Sequence, residues 1–320
     1  MSGMEGSRLQ HMPVTLFTVV MGLCGFTLAL RAGEAALGLG HIASEAAHWL
    51  TMAGFGAIAL GYLAKLLRHP GAVQAEWQHP VKLAFFPAIS IALVLMSIVM
   101  LVPYPGLARA MWLVAVPMQL ALTLAVVNGW IGARAFQHGH LSPAWFIPAV
   151  GNVIVAIAGV PLGYIEISWF FTSVGLIFWI VMLVLVMNRL IFHDPLPERL
   201  QPSLVILIAP PSVGYLAWVE LVGGVDDFAR ILLNCAYLFT LIVAVQLPKL
   251  LRLPFSLAFW ALSFPVAGAV LASLAHAQMT GSAGHRLIGL ALLAVLCVII
   301  AGLIWRTGRA LQAGAIFQPD

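Results

Sequence analysis

Ten stretches of this chain are each apolar for close to the length that carries an α-helix across the hydrocarbon core of a bilayer, about 20 residues. They lie near 13–30, 44–66, 81–102, 108–131, 143–160, 167–191, 203–221, 228–247, 254–275 and 286–305. Lipid offers no water to unpaired N–H and C=O groups, so such runs must be helices. What remains between them is too short for a soluble module: 62% of the 320 residues are hydrophobic and 8% are charged. The class that follows is an all-α polytopic membrane protein, with residues 1–320 as a single ten-helix domain and short tails at about 1–12 and 307–320. The first run lacks a small-residue cleavage site before Arg31 and Glu34 and reads as a retained span, not a signal peptide.

Basic residues orient the spans. Arg8, Lys65, Arg68, Lys82, Arg134, Arg189, Arg199, Lys249, Arg252, Arg306 and Arg309 fall on one side, against Arg31, Arg109, Arg230 and Arg286 on the other. Eleven to four predicts an inner (plasma) membrane protein with both termini cytoplasmic. Five acidic residues lie inside and six outside, so the formal charge is +6 on the inner face (11 − 5) and −2 on the outer (4 − 6).

Prolines recur inside the odd spans. Pro87, Pro148, Pro210 and Pro265 are 61, 62 and 55 residues apart, one per helical hairpin. The even spans have one such residue, Pro117 in the fourth. The first span has none at kink depth but carries Gly22 and Gly25 there. A fixed period marks a repeated structural unit, which predicts five hairpins around an axis. An interior proline costs about 3 kcal/mol or more, and here it deprives the carbonyls of Leu83, Ala144, Ile206 and Ala261 of their helical partners. Bent backbone is tolerated at membrane depth where it is buried in protein or lines a watery cavity. The odd spans are therefore expected inside, kinked around a shared passage lined at Pro87, Pro148, Pro210, Pro265, Gly22 and Gly25.

The passage has the character of a passive conduit for anions. No ionisable residue sits near the middle of an odd span, whereas coupled transporters usually place one there. A basic inner rim that includes Lys82, Arg134 and Lys249 would concentrate anions. The residue before each kink proline is apolar (Phe86, Ile147, Ala209, Phe264), the makings of a dry collar. Phe264 is the gate candidate and Phe86 the candidate second constriction. Cys24, Cys235 and Cys297 sit in apolar runs without a Cys-x-x-Cys pair and read as packing residues. The ten histidines fall in loops or at helix ends, which argues against axial haem ligation. No HExxH, GxSxG or in-span carboxylate pair offers hydrolytic chemistry. Neither enzyme activity, cofactor, metal nor nucleic-acid partner is expected.

Four stretches, in this order and spacing, carry a resemblance: "EWQHPVKLAFFPAISIALVLMS", "SPAWFIPAVGN", "LQPSLVILIAPPSVGYLAW" and "FWALSFPVAGAVLASLAH". They resemble the tellurite-resistance/dicarboxylate transporter family, which takes in bacterial TehA-like proteins and the plant guard-cell slow anion channel, over roughly residues 13–306. The resemblance implies a homotrimer with a separate pore in each protomer, five inner helices per pore, and a plug at the phenylalanine of "SFP", here Phe264. It also implies chloride, nitrate, sulfite or malate as permeant classes, with tellurite resistance as an associated phenotype. The incomplete kink of the first span departs from the family pattern. A dicarboxylate calls for a basic pair in the passage, which this sequence lacks, so small inorganic anions are expected. The alternatives are a C4-dicarboxylate or sulfite secondary transporter, and an exporter built on a five-plus-five inverted repeat. The inverted repeat would pair the third span with the proline-free "ARILLNCAYLFTLIVAVQ".

Overall fold

The computed structural model describes residues 8–132 and 136–317, and among them there is no strand. Among the described residues, nine helices are long and apolar enough to cross a bilayer: Val14–Leu37, Ile42–Arg68, Lys82–Met100, Pro105–Ile131, Ile165–Phe192, Glu198–Val222, Asp227–Leu250, Leu257–Thr280 and Ala283–Gln312. The shorter, broken segment Pro143–Gly159 supplies the fifth span. The first span runs seven residues past its expected end because the charges that should stop it find partners. Arg31 donates to the Val99 carbonyl at 3.4 Å, and the Glu34 carboxylate accepts from the Ala43 and Ser44 amides at 2.8 and 3.2 Å, capping the second span.

Burial divides the spans into two rings. In the first, third, seventh and ninth, 67–78% of the most apolar stretch is buried, against 17–33% in the five even spans. Inner neighbours follow hairpin order and close on themselves: first on third, third on fifth, fifth on seventh, seventh on ninth, ninth on first. Each even span packs against the odd span before it. Leu60, Ile177, Leu241 and Val298 then point away from the protein, as lipid-facing side chains do.

The inner spans are not uniform α-helices. Each odd span begins with, or is interrupted by, tighter 3-10 winding: Val14–Leu16, Lys82–Phe85, Pro143–Trp145 and Gly151–Ile154, Glu198–Ile208, and Leu257–Leu262. The kink prolines sit beside the change to α winding, which resolves the carbonyl problem posed by the sequence. The Leu83 carbonyl accepts from the Phe86 amide three residues on, at 3.2 Å, and the Ile206 carbonyl from the Ala209 amide. A small polar side chain beside each kink adds a bond to a neighbouring carbonyl. Ser90 donates to the Pro87 carbonyl at 3.0 Å, Asn152 to the Ala149 carbonyl at 2.8 Å, Ser212 to the Ile208 carbonyl at 2.7 Å and Ser263 to the Trp260 carbonyl at 2.6 Å. All four are buried. Local 3-10 turns thus re-pair the Leu83 and Ile206 carbonyls, as a broken helix at membrane depth requires.

The short helix Pro70–Gln78 lies between the second and third spans and is held by a buried ion pair. Lys65 Nζ donates to Glu76 Oε2 at 2.7 Å and to the Met12 carbonyl at 2.8 Å. Tyr62 Oη–H and the Val14 amide complete the carboxylate's partners at 3.0 and 3.2 Å. Lys65, counted with the basic face in the sequence, is thus a tether that fixes the start of the first span.

Candidate functional site

Within the inner ring lies a cavity of about 70 Å³ whose wall is drawn from all five odd spans and from no even one. The first span contributes Thr18 and Met21; the third, Phe85 and Ile91; the seventh, Ala209, Pro210 and Val213. From the fifth come Phe146, Ile147 and Gly151, and from the ninth Trp260, Phe264 and Pro265. Among the described residues, Thr18 is the only hydroxyl on this wall, and no ionisable side chain lines it.

Phe264 is partly accessible although Ser263 and Pro265 on either side are buried, because its ring faces the cavity. Gly25 of the first span makes room for it. A Cβ built there would stand 3.3 Å from Phe264 Cδ2 and 2.9 Å from Ala267 Cβ. A Cβ on Gly22 would fall 2.1 Å from Ser263 Oγ. Both glycines therefore serve the close approach of the first span to the ninth and do not themselves line the cavity.

The residue before the kink proline faces the cavity in three spans, as Ile147, Ala209 and Phe264, but not in the third. There Phe85 occupies the wall, while Phe86 is 6% exposed and packs edge-on against Trp77 of the short helix, with centroids 4.9 Å apart. The third span also differs in winding. In the fifth, seventh and ninth spans the α segment begins one or two residues before the proline, at Phe146, Ala209 and Ser263; in the third it begins after it, at Ala88. A 3-10 turn advances the chain about 120° per residue and an α turn about 100°, so the later switch adds a rotation of about 40–60°, and the contact of Phe86 with Trp77 holds that ring away from the cavity. Nothing in the doublet "FF" carries that information. Phe146, which also lines the cavity, went unmarked because it lies two residues before its proline.

Of the kink prolines, Pro210 and Pro265 line the cavity; Pro87 and Pro148 are buried behind it. Pro148 is backed by a polar cluster that the sequence did not announce. Thr123 donates to its carbonyl at 3.0 Å, and the single proton of the Ser90 hydroxyl is shared between the Pro87 carbonyl and Gln119 Oε1, which lies 2.6 Å away across the interface of third and fourth spans. Of the basic rim, Lys82 begins the third span and the exposed Lys249 ends the eighth, at the end of the bundle where the odd spans start. Arg134 lies outside the described residues. Groups of three or more potential metal ligands are absent among the described residues.

This geometry has a match in sequence. A family model described as SLAC1, voltage-dependent anion channel, aligns with residues 11–308. The chain is 28% identical to the S-type anion channel SLAH3 of Arabidopsis thaliana over 78% of its own length and 40% of that protein's. It is 25% identical to the guard cell S-type anion channel SLAC1 of the same plant over 78% of its own length and 48% of that protein's. With the tellurite resistance protein TehA homolog of Haemophilus influenzae it shares 26% identity over 96% of its own length and 93% of the relative's. The chain thus spans about half the length of the plant relatives and nearly the whole of the bacterial one. With almost its entire membrane region inside the family match and a ring of hairpins around one cavity, this multi-span membrane protein belongs to the SLAC1 family.

Proposed function

We propose that the chain conducts small inorganic anions passively through the inner ring, and that the ring of Phe264 closes the path. The observation that carries this reading is the wall itself: five odd spans converge on one apolar cavity, and the ninth presents an aromatic side chain into it. A hydrophobic constriction blocks ions by excluding water, and the cavity wall is apolar apart from Thr18. Lys82 and Lys249, at the end where the odd spans start, favour anions over cations there. The plant relatives are named as anion channels, which supports the same reading. The wall offers no basic pair to grip a dicarboxylate, so chloride, nitrate and sulfite fit better than malate. Orientation with cytoplasmic termini in the plasma membrane, assembly as a homotrimer with one pore per protomer, and a link to tellurite resistance belong to the same proposal.

Phe264→Ala in planar bilayers tests the gate. The expected result is an anion current on the order of tenfold or more above wild type, equivalent to lowering the barrier by about 1.4 kcal/mol. A carrier would instead show trans-stimulation in counterflow and little gain from the substitution.

A further inference from the structure

Beyond the cavity, the ionisable residues on the inner spans are accounted for one by one. Arg31 leans to the Val99 carbonyl of the third span, Glu34 caps the second, and His276 meets the Tyr215 hydroxyl at 3.1 Å. Glu220, near the end of the seventh span, is different. It is exposed and makes no hydrogen bond or ion pair among the described residues. Its direction follows from the residues around it on the unbroken helix Ala209–Val222. Ala209 and Val213 line the cavity, and Glu220 lies seven residues beyond Val213, two turns further and within about 20° of the same face. Trp218 fixes the opposite direction. Its ring packs on Trp169 of the sixth span and Phe228 of the eighth, and its indole N–H donates to Asp226 at 3.0 Å. Two residues along an α-helix is a rotation of about 200°, so Glu220 faces inward where Trp218 faces the outer ring.

We propose that Glu220 charges the far mouth of the passage negatively and so makes anion conduction directional, easier from the basic end than from this one. The inference rests on the anion-conducting reading above. A carboxylate on the inward face about 10 Å beyond the cavity (seven residues at 1.5 Å) depletes anions locally, while the basic residues at the other mouth enrich them. Leu28 and Ala32 of the first span and Leu271 and Ala275 of the ninth continue the stripes set by Met21 and Phe264 and are uncharged; the cations at this end include Arg31, bonded to the Val99 carbonyl, and Arg230 of the eighth span, whose charge reaches Tyr215 and His276.

The test reads the local potential without needing an open gate. Leu216→Cys puts a thiol one turn from Glu220, with Cβ atoms about 5–6 Å apart, in a chain carrying Cys235→Ser and Cys297→Ser. Purified protein is treated with an anionic sulfonate and a cationic ammonium methanethiosulfonate reagent, with and without Glu220→Gln. Removing the charge should raise the anionic-to-cationic rate ratio about tenfold at low salt, and the effect should shrink at about 1 M salt, where screening acts over 3 Å. In Phe264→Ala currents the same substitution should bring inward and outward anion flow closer together by about two- to threefold. A rate ratio indifferent to Glu220→Gln, or a Leu216→Cys thiol that neither reagent reaches, overturns the inference. If Phe264→Ala carries no current while the ratio still responds to Glu220, the gate reading fails and the charged mouth stands.

Discussion

The two rings of spans are equally greasy and differently built. Mean hydropathy runs from 1.7 to 2.5 in the long odd spans and from 1.6 to 3.1 in the even ones, so apolarity finds both and separates neither. What separates them is backbone continuity. The even spans are unbroken α-helices of 24–30 residues, and even Pro117 leaves Pro105–Ile131 continuous. Every odd span contains 3-10 winding, and the third, fifth, seventh and ninth also have a proline and a buried Ser or Asn beside it. A helix facing lipid has no partner for a freed carbonyl, whereas one facing protein or a cavity can find one. The interruption itself therefore marks the inside.

This difference can be pressed by substitution, and the largest effect belongs to a residue that crosses the division. Lys65 sits on the second span, an outer one, yet is 1% exposed and paired with Glu76. Lys65→Met leaves a buried carboxylate uncompensated and should destabilise by about 3–5 kcal/mol, read as a marked fall in the thermal midpoint in detergent. Next comes Gly22→Val, whose Cβ must displace Ser263 Oγ from 2.1 Å. Overpacking of this kind costs about 1–3 kcal/mol, and a stable variant would contradict the tight first-to-ninth contact. Ser212→Ala removes one buried hydrogen bond beside the kink and should cost about 1 kcal/mol, while Leu60→Ala on the lipid face should stay within about 0.5 kcal/mol. Equal losses at Ser212 and Leu60 would erase the distinction between the rings. Smallest of all, Lys82→Gln with Lys249→Gln should lower open-pore conductance modestly at low ionic strength and negligibly at about 1 M salt, where the screening length is 3 Å.

Much of this was legible in the sequence because both signals are one-dimensional. Apolar run length set the ten spans, and the proline period marked the third, fifth, seventh and ninth as inner. The first span joined them on Gly22 and Gly25, and the structure gives those glycines a packing role against Ser263 and Ala267 instead of a kink. Azimuth was less accessible. The choice between Phe85 and Phe86 goes with a tertiary contact, Trp77 of the short helix Pro70–Gln78 packing edge-on against Phe86. The partnership of Lys65 with Glu76 was likewise hidden, since both counted merely as charges on one face. The kink donors left a trace that could have been read: "FFPAIS", "IPAVGN", "APPS" and "SFP" each hold a small polar residue within four positions of the proline.

The most direct measurement is the anion current of Phe264→Ala beside wild type, in the same bilayers and under the same gradients. A pore stopped by one ring predicts a current at least about tenfold larger in the variant, with a reversal potential that follows the anion gradient. Equal, near-zero currents from two folded proteins would contradict it.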